Sequence, residues 1–256
     1  MAVCMYQERT YRNQVHGDGM RASYRVVVKE TDLFVRSEKD LANMTRDLVL
    51  RYRAYLEAYI RRHQGFLETL VPWIVRGPSP RIIRDMAHAG QCAGVGPMAA
   101  VAGAIAESVG RNLLDHSGDV IVENGGDLFI KSHLPVTIGV FANKSPLSLR
   151  IGLRVHAQDH PMAVCTSSGT VGHSLSMGKA DAVCILSESC SLADAAATAV
   201  GNQIQKADDI QNAIDFGKNI KGVEGILAIL HDKIGMWGNL EVVSLQEKKV
   251  EFIALK

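Results

Sequence analysis

An α+β fold with largely antiparallel sheets is what this 256-residue chain predicts, and three observations predict it. Runs of period-two alternation and runs of helical period follow one another as strands, helices, strands, helices, strands. Neighbouring strand runs are joined by hairpin-length connections, not by the long crossovers that parallel strands need. Strand runs also flank helical runs in each half of the chain, which suggests two internal sheet-plus-helix units. No composition shift or linker separates two domains. Residues 1–256 are therefore expected to form one domain, with a motif-bearing core over 90–202.

Residues 9–36 alternate in patches about His16, Gly17, Asp18 and Gly19, which predicts a hairpin or two strands around a glycine-rich turn. Leu41, Met44, Leu48, Tyr52, Tyr55, Leu56 and Tyr59 recur at helical spacing, so 40–63 reads as one long amphipathic helix. Its arginines, Arg46, Arg51, Arg53, Arg61 and Arg62, read as a solvated face. Pro72, Pro78 and Pro80 punctuate the next stretch. A short helix is expected over 81–90. A small-residue helix is expected over 97–114, with Pro97 in its first turn and alanines and glycines that permit close packing. Strands at 120–122 and 128–130 bend around Asn124, Gly125 and Gly126, and further strands are expected at 136–141, 149–155, 162–165 and 182–186. Helices at 192–204 and 207–217 follow, and the tail beyond 223 returns to strands.

Net charge is +1, so no basic field points to nucleic acid, and aromatics at 5% offer little for base stacking. No run reaches the roughly 18 to 20 apolar residues of a membrane span. The first eleven residues lack the apolar core of a signal peptide, and Cys4 has no hydrophobic run before it. Five cysteines, Cys4, Cys92, Cys165, Cys184 and Cys190, show no CxxC spacing. The expectation is a reducing, cytoplasmic setting with free thiols and no membrane or nucleic-acid partner.

The chemistry concentrates in residues 163–202, where small residues, hydroxyls, glycines, a histidine and carboxylates surround a short apolar strand. Asp194 and Thr198 lie four apart, one turn along the same helical face. They offer two hard oxygens of the kind Mg²⁺ takes beside phosphates. Equally, Ser191 and Asp194 have the spacing of a capping box. Glu123, Asn124, Gly125, Gly126 and Asp127 are a tight-turn signature with two flanking acids, which could hold ribose, ring donors or a metal. Thr166, Ser167, Ser168 and Gly169, running on to His173, supply backbone N–H groups and small donors for an anion. Gly94 and Gly96, before Pro97, resemble a phosphate-binding turn without the full glycine fingerprint. Cys165 and Cys92 abut two of these segments, either as small buried residues or as reactive thiols.

The motifs GVGPMAAVAGAIAE, VENGGDLFI, CTSSGTVGHSLSMGKADAV and SLADAAATAVGN occur in that order. Together they resemble a family of uncharacterised prokaryotic proteins distantly related to ApbE, the FAD:protein FMN transferases. The resemblance implies an ApbE-like T-fold. It places the Mg²⁺-holding ADxxxT pattern on Ala193, Asp194 and Thr198, and makes Asp194 a catalytic candidate together with His173. It sets Gly125, Gly126 and Asp127 near the flavin nucleotide, and the transferases' Ser-Gly loop on Ser168 and Gly169. The transferases' glycine-lysine-glycine run with its aspartate is replaced here by residues 96–103, which hold neither Lys nor Asp. Their His-x-x-Asp-Pro motif meets only His173, Ser174, Leu175 and Ser176.

The resulting expectation is a protein that binds FAD, FMN or another nucleotide with Mg²⁺, with FMN transfer altered or lost. A protein acceptor and a homodimer are expected by analogy. Two alternatives stay open: a sulfur-handling accessory protein that uses a reactive cysteine, and a non-catalytic binding module.

Overall fold

A computed structural model describes residues 20–169, 177–245 and the strand at 253–255. The chain begins in a hairpin, β1 (Ala22–Val28) and β2 (Thr31–Ser37), whose two-residue turn falls at Lys29 and Glu30, with Lys29 at φ 52°. The glycine-rich stretch at 16–19 lies outside the described residues. α1 (Ala42–Arg62) buries Leu48, Val49, Leu56 and Tyr59, close to the predicted stripe. A single turn, α2 (Gly65–Glu68), precedes an irregular segment.

α3 (Arg81–Ala93) runs beyond the expected short helix and stops at Gly94, which takes the left-handed conformation that glycine adopts without a Cβ penalty. Pro97 opens a 3₁₀ turn at Pro97–Ala100, and α4 (Val101–Leu113) continues from it. Five strands follow: β3 (Val120–Asn124), β4 (Asp127–Lys131), β5 (Val136–Val140), β6 (Ile151–Val155) and β7 (Met162–Ser167). β6 starts two residues later than its apolar pattern suggests, because Leu149 sits at φ 55° and cannot extend the strand. β8 (Ala182–Ser187), α5 (Cys190–Asn202) and α6 (Asp209–Gly217) come next. β9 (Val223–Leu230), β10 (Lys233–Gly238), β11 (Glu241–Ser244) and β12 (Ile253–Leu255) complete the chain.

Eight strands form one sheet in the order β1-β2-β3-β4-β7-β8-β9-β10, antiparallel throughout. The order exposes the repeat expected from sequence. β1, β2, helices, β3 and β4 make one unit; β7, β8, helices, β9 and β10 make a second. β4 and β7 join them edge to edge. A second sheet, β11-β6-β5-β12, is antiparallel except where β12 runs parallel to β5.

Strand alternation sorts the large sheet into two cores. Val122, Phe129, Cys165, Val183, Ile185, Ile226 and Ala228 face the helices. Ile121, Leu128, Ile130, Val164, Cys184, Leu227 and Ile229 face the small sheet and pack with Ile138, Val140, Leu153 and Val155. The layers are therefore helices, large sheet, small sheet. Among the described residues no single helix is long and apolar enough to cross a membrane; α3 and α4 are core helices meeting at a sharp bend.

Candidate functional site

The seam between the two units carries the candidate site. α4 belongs to the first unit and α5 to the second, and they touch at Gly103. A Cβ there would lie 2.3 Å from the carbonyl oxygen of Cys190 and 2.9 Å from Cβ of Asp194. This close approach explains the small-residue character of α4. At the contact the Gly103 N–H donates to Oδ2 of Asp194 at 2.9 Å. One residue earlier on α4, the carbonyl of Ala102 accepts from Nδ2 of Asn124 at 3.0 Å. The first turn of α4 thus ties the β3–β4 turn, through a carbonyl, to α5, through an N–H.

That turn is a two-residue hairpin. Gly125 and Gly126 take φ 69° and 113°, and Asn124 pairs with Asp127 across it. Both glycines are required by the turn itself. The pleat sends Asn124 and Asp127 to the helix side and Glu123 to the opposite side. Glu123 Oε1 accepts from the Gly126 N–H at 3.2 Å. Glu123 therefore braces the turn from the face of the sheet opposite Asn124 and Asp127.

Asp127 is buried, and the Thr166 N–H donates to its Oδ1 at 3.3 Å. Burial pushes its carboxyl well above the usual carboxylate range, and the charge of Asp194 adds to the rise. Asp194 is half-buried, and desolvation raises its pKa to about 7 against the pull of the Gly103 and Ala102 amides. Two carboxyls from different units thus lie close enough that the charge of one raises the other, and ionising both is unfavourable. Such an arrangement holds a proton or accepts a cation.

Asp194 is free for this role because it does not cap its helix. α5 begins at Cys190, and Ser189 is its cap, with Oγ accepting from Leu192 N at 3.3 Å. The capping-box reading of Ser191 and Asp194 is corrected accordingly. The first amides of α5, those of Cys190 and Ser191, donate to Glu107 Oε2 at 2.9 and 3.4 Å. Glu107, missed in the sequence reading, is the one acid in the small-residue 97–114 segment, and that isolation was the available signal. Its carboxylate occupies the α5 N-terminus, so a phosphate would have to displace it there. Thr198 lies one turn beyond Asp194 and is buried.

The remaining candidates fall in different places. Thr166 contributes its N–H, but its hydroxyl turns to the small-sheet side and bonds Cys184 Sγ at 3.4 Å. Ser167 is buried on the helix side near Gly201. Ser168 ends β7. A Cβ on Gly169 would lie 1.9 Å from the Gly178 carbonyl, and its N–H bonds Ala180 O, so this glycine serves chain packing. His173 lies outside the described residues. Gly94 is the α3 cap, and Gly96 lets the chain at Thr69 cross within 1.9 Å of a would-be Cβ. Gly94 of the expected phosphate turn thus has a conformational role and Gly96 a packing role.

The thiol reading meets an obstacle. Cys165 and Cys190 lie with sulfurs 3.6 Å apart, both fully buried. Burial pushes Cys165 well above the ordinary thiol value and Cys190 and Cys184 up to about 11. Thiolate, the reactive form, is strongly disfavoured at all three. Cys92 is half-buried, with its sulfur 3.7 Å from His88 Nε2.

A two-unit antiparallel sheet with helices on one face is the architecture of the ApbE-like class. Apo flavinyl transferase ApbE of Pseudomonas stutzeri superposes with a TM-score of 0.56 at 12% identity, over 85% of this chain and 93% of that one. The apbe protein of Thermotoga maritima gives 0.51 at 15% identity, over 84% and 96%. The family model described as AbpE bacteria matches residues 12–237, and the chain belongs to that family. Its relatives include the UPF0280 protein of Methanocaldococcus jannaschii, 38% identical over 88% of this chain and 94% of that protein. The UPF0280 protein of Methanocella arvoryzae is 39% identical over 86% and 90%.

Proposed function

We propose that this protein binds a flavin nucleotide or a close analogue through its pyrophosphate, with Mg²⁺ at the seam between α4 and α5. One observation carries the reading: Asp127 and Asp194, from different units, converge with both carboxyls pushed upward. The ApbE-like fold, shared with proteins described as flavin transferases, supports the choice of ligand class.

The residues fit a hard cation. Asp127, Asp194 and Thr198 offer oxygen donors, and among the described residues no group of three or more His, Cys, Asp or Glu gathers into a self-sufficient metal cage. Mg²⁺ usually takes few protein ligands and leaves places for phosphate oxygens and water. When bound it would neutralise charge on the pyrophosphate. Without it, the Asp127 and Asp194 pair holds a proton near neutral pH. The Gly103 amide fixes the orientation of Asp194, and the Thr166 amide fixes that of Asp127. FMN transfer to a protein acceptor is the activity this site would serve if His173 or a neighbour supplies the proton acceptor. The missing Lys and Asp on the α4 segment favour nucleotide binding over rapid transfer.

Thermal unfolding with FAD, FMN, ADP and ATP, each with and without Mg²⁺, tests the proposal. A ligand specific to the folded state adds about 2.7 kcal/mol at a hundredfold excess over Kd. FAD with Mg²⁺ is expected to raise Tm, and neither alone to match it. No shift with any nucleotide would remove the reading.

A further inference from the structure

Away from the seam, the surface is uneven. Of the large apolar side chains left exposed, Leu67, Leu70, Val71 and Ile74 crowd into one stretch and are 50%, 58%, 65% and 70% exposed. The stretch 69–80 has no regular secondary structure. It is nonetheless anchored. Trp73 Nε1 donates to the Tyr59 hydroxyl at 3.2 Å, its ring packs edge-on to Phe66, and its carbonyl accepts from Gln91. The backbone at Thr69 lies over Gly96. A fixed strap therefore holds four apolar side chains outward.

Cations frame the strap. Arg61 and Arg62 end α1 just before it and Arg76 lies within it beyond Ile74, all three exposed. Among the described residues none of the three has an ion-pair partner, and Glu68 is the only acid between 61 and 84. A chain of net charge +1 has thus gathered unneutralised guanidinium groups around its most apolar surface. What complements such a surface is both anionic and apolar. Exposures of this size belong to protruding side chains, not to the walls of a groove. The strap also offers no strand edge for a peptide to extend. A lipid leaflet with anionic headgroups needs neither groove nor edge: apolar side chains enter the acyl boundary while arginines meet phosphates.

We propose that the strap at 67–76, with Arg61 and Arg62, is a peripheral docking surface for an anionic membrane. This surface is independent of the nucleotide reading, since none of its residues lines the seam.

Sedimentation of the full-length protein with phosphatidylcholine vesicles, with and without phosphatidylglycerol, tests the proposal. The protein is expected to pellet with the anionic vesicles only, and high salt is expected to release it. Trp73 supplies a second readout: in a Trp237→Phe background its emission should be quenched by brominated anionic lipid. Val71→Asp with Ile74→Asp should weaken binding at least tenfold. Arg61→Glu with Arg62→Glu should weaken it about fivefold or more per guanidinium lost. All four positions are exposed, and unchanged circular-dichroism melting would confirm that the variants fold. Failure of the wild type to bind anionic vesicles overturns the proposal. So does binding that the apolar double variant leaves intact. A dimer in light scattering that becomes monomeric with Val71→Asp and Ile74→Asp also overturns it, because a second copy would then cover the strap.

Discussion

Replacing Asp194 by Asn should make the metal-free protein more stable above neutral pH and nearly unchanged below pH 4. The carboxyl titrates at about 7 in the folded protein against an ordinary 3.8. Because the folded-state value is raised, the folded protein holds the extra proton between those limits. The stability penalty is absent below about pH 4, grows between pH 4 and 7, and is constant above 7. Each unit corresponds to about 1.4 kcal/mol, so pH 5 to pH 7 spans about 3 kcal/mol, or about 2 kcal/mol once the partial exposure of Asp194 is allowed for. Asn keeps an oxygen for the Gly103 N–H, so the α4–α5 contact survives. Urea unfolding of both proteins at pH 5 and pH 8 without divalent ions reads the Asp194 and Asp127 pair, since titrating groups other than Asp127, which Asp194 helps to raise, cancel in the difference. The gap between variant and wild type should widen by about 2 kcal/mol from pH 5 to pH 8. Mg²⁺ with nucleotide should then stabilise the wild type and leave the variant unaffected. A gap that does not change with pH would refute the claim that the seam holds a strained carboxylate.

Gly103→Val drives a side chain into the Cys190 carbonyl and should lower stability by about 1–3 kcal/mol, read as a drop in Tm, while abolishing any Mg²⁺-dependent shift. Glu107→Ala leaves the Cys190 and Ser191 amides without their acceptor and should cost about 1–2 kcal/mol in urea unfolding, with Glu107→Gln recovering part of it. Maleimide labelling of the native protein near pH 7.5, mapped by peptide mass, should modify Cys92 and spare Cys165, Cys184 and Cys190. Labelling of Cys165 in the native state would revive a sulfur-handling role.

Local pattern carried most of the architecture. The switch from period two to period 3.6 after 37 located α1, and paired glycines located the β3–β4 turn within a residue. The repeat was visible because strands flank helices in both halves. The boundaries that shifted did so for conformational reasons: Leu149 leaves extended geometry, and α3 persists until Gly94 can cap it. The site was half legible. Asp127 and Asp194 stood out as acids beside glycine and small-residue runs. Their pairing did not, because it depends on β4 and β7 meeting in one sheet. Nor did Glu123's turn to the other face, which follows from the pleat once the register is known. Glu107, 83 residues before the amides it binds, has no local trace beyond being the one acid in its segment.

The β4–β7 junction gives the molecule a built-in dependence of one half on the other. Each unit contributes one acid, and neither acid alone makes a cation site. Any ligand that bridges Asp127 and Asp194 therefore acts as a clamp on the junction. Its binding energy is available only to conformations in which both units are docked, so partial opening becomes costlier while whole-molecule unfolding stays the main escape. Amide exchange near β4 and β7 would then slow on ligand binding more than exchange in β1 or β10. With a ligand bound there, the internal repeat would work as a coupling device, in which occupancy at the centre governs how independently the two halves breathe.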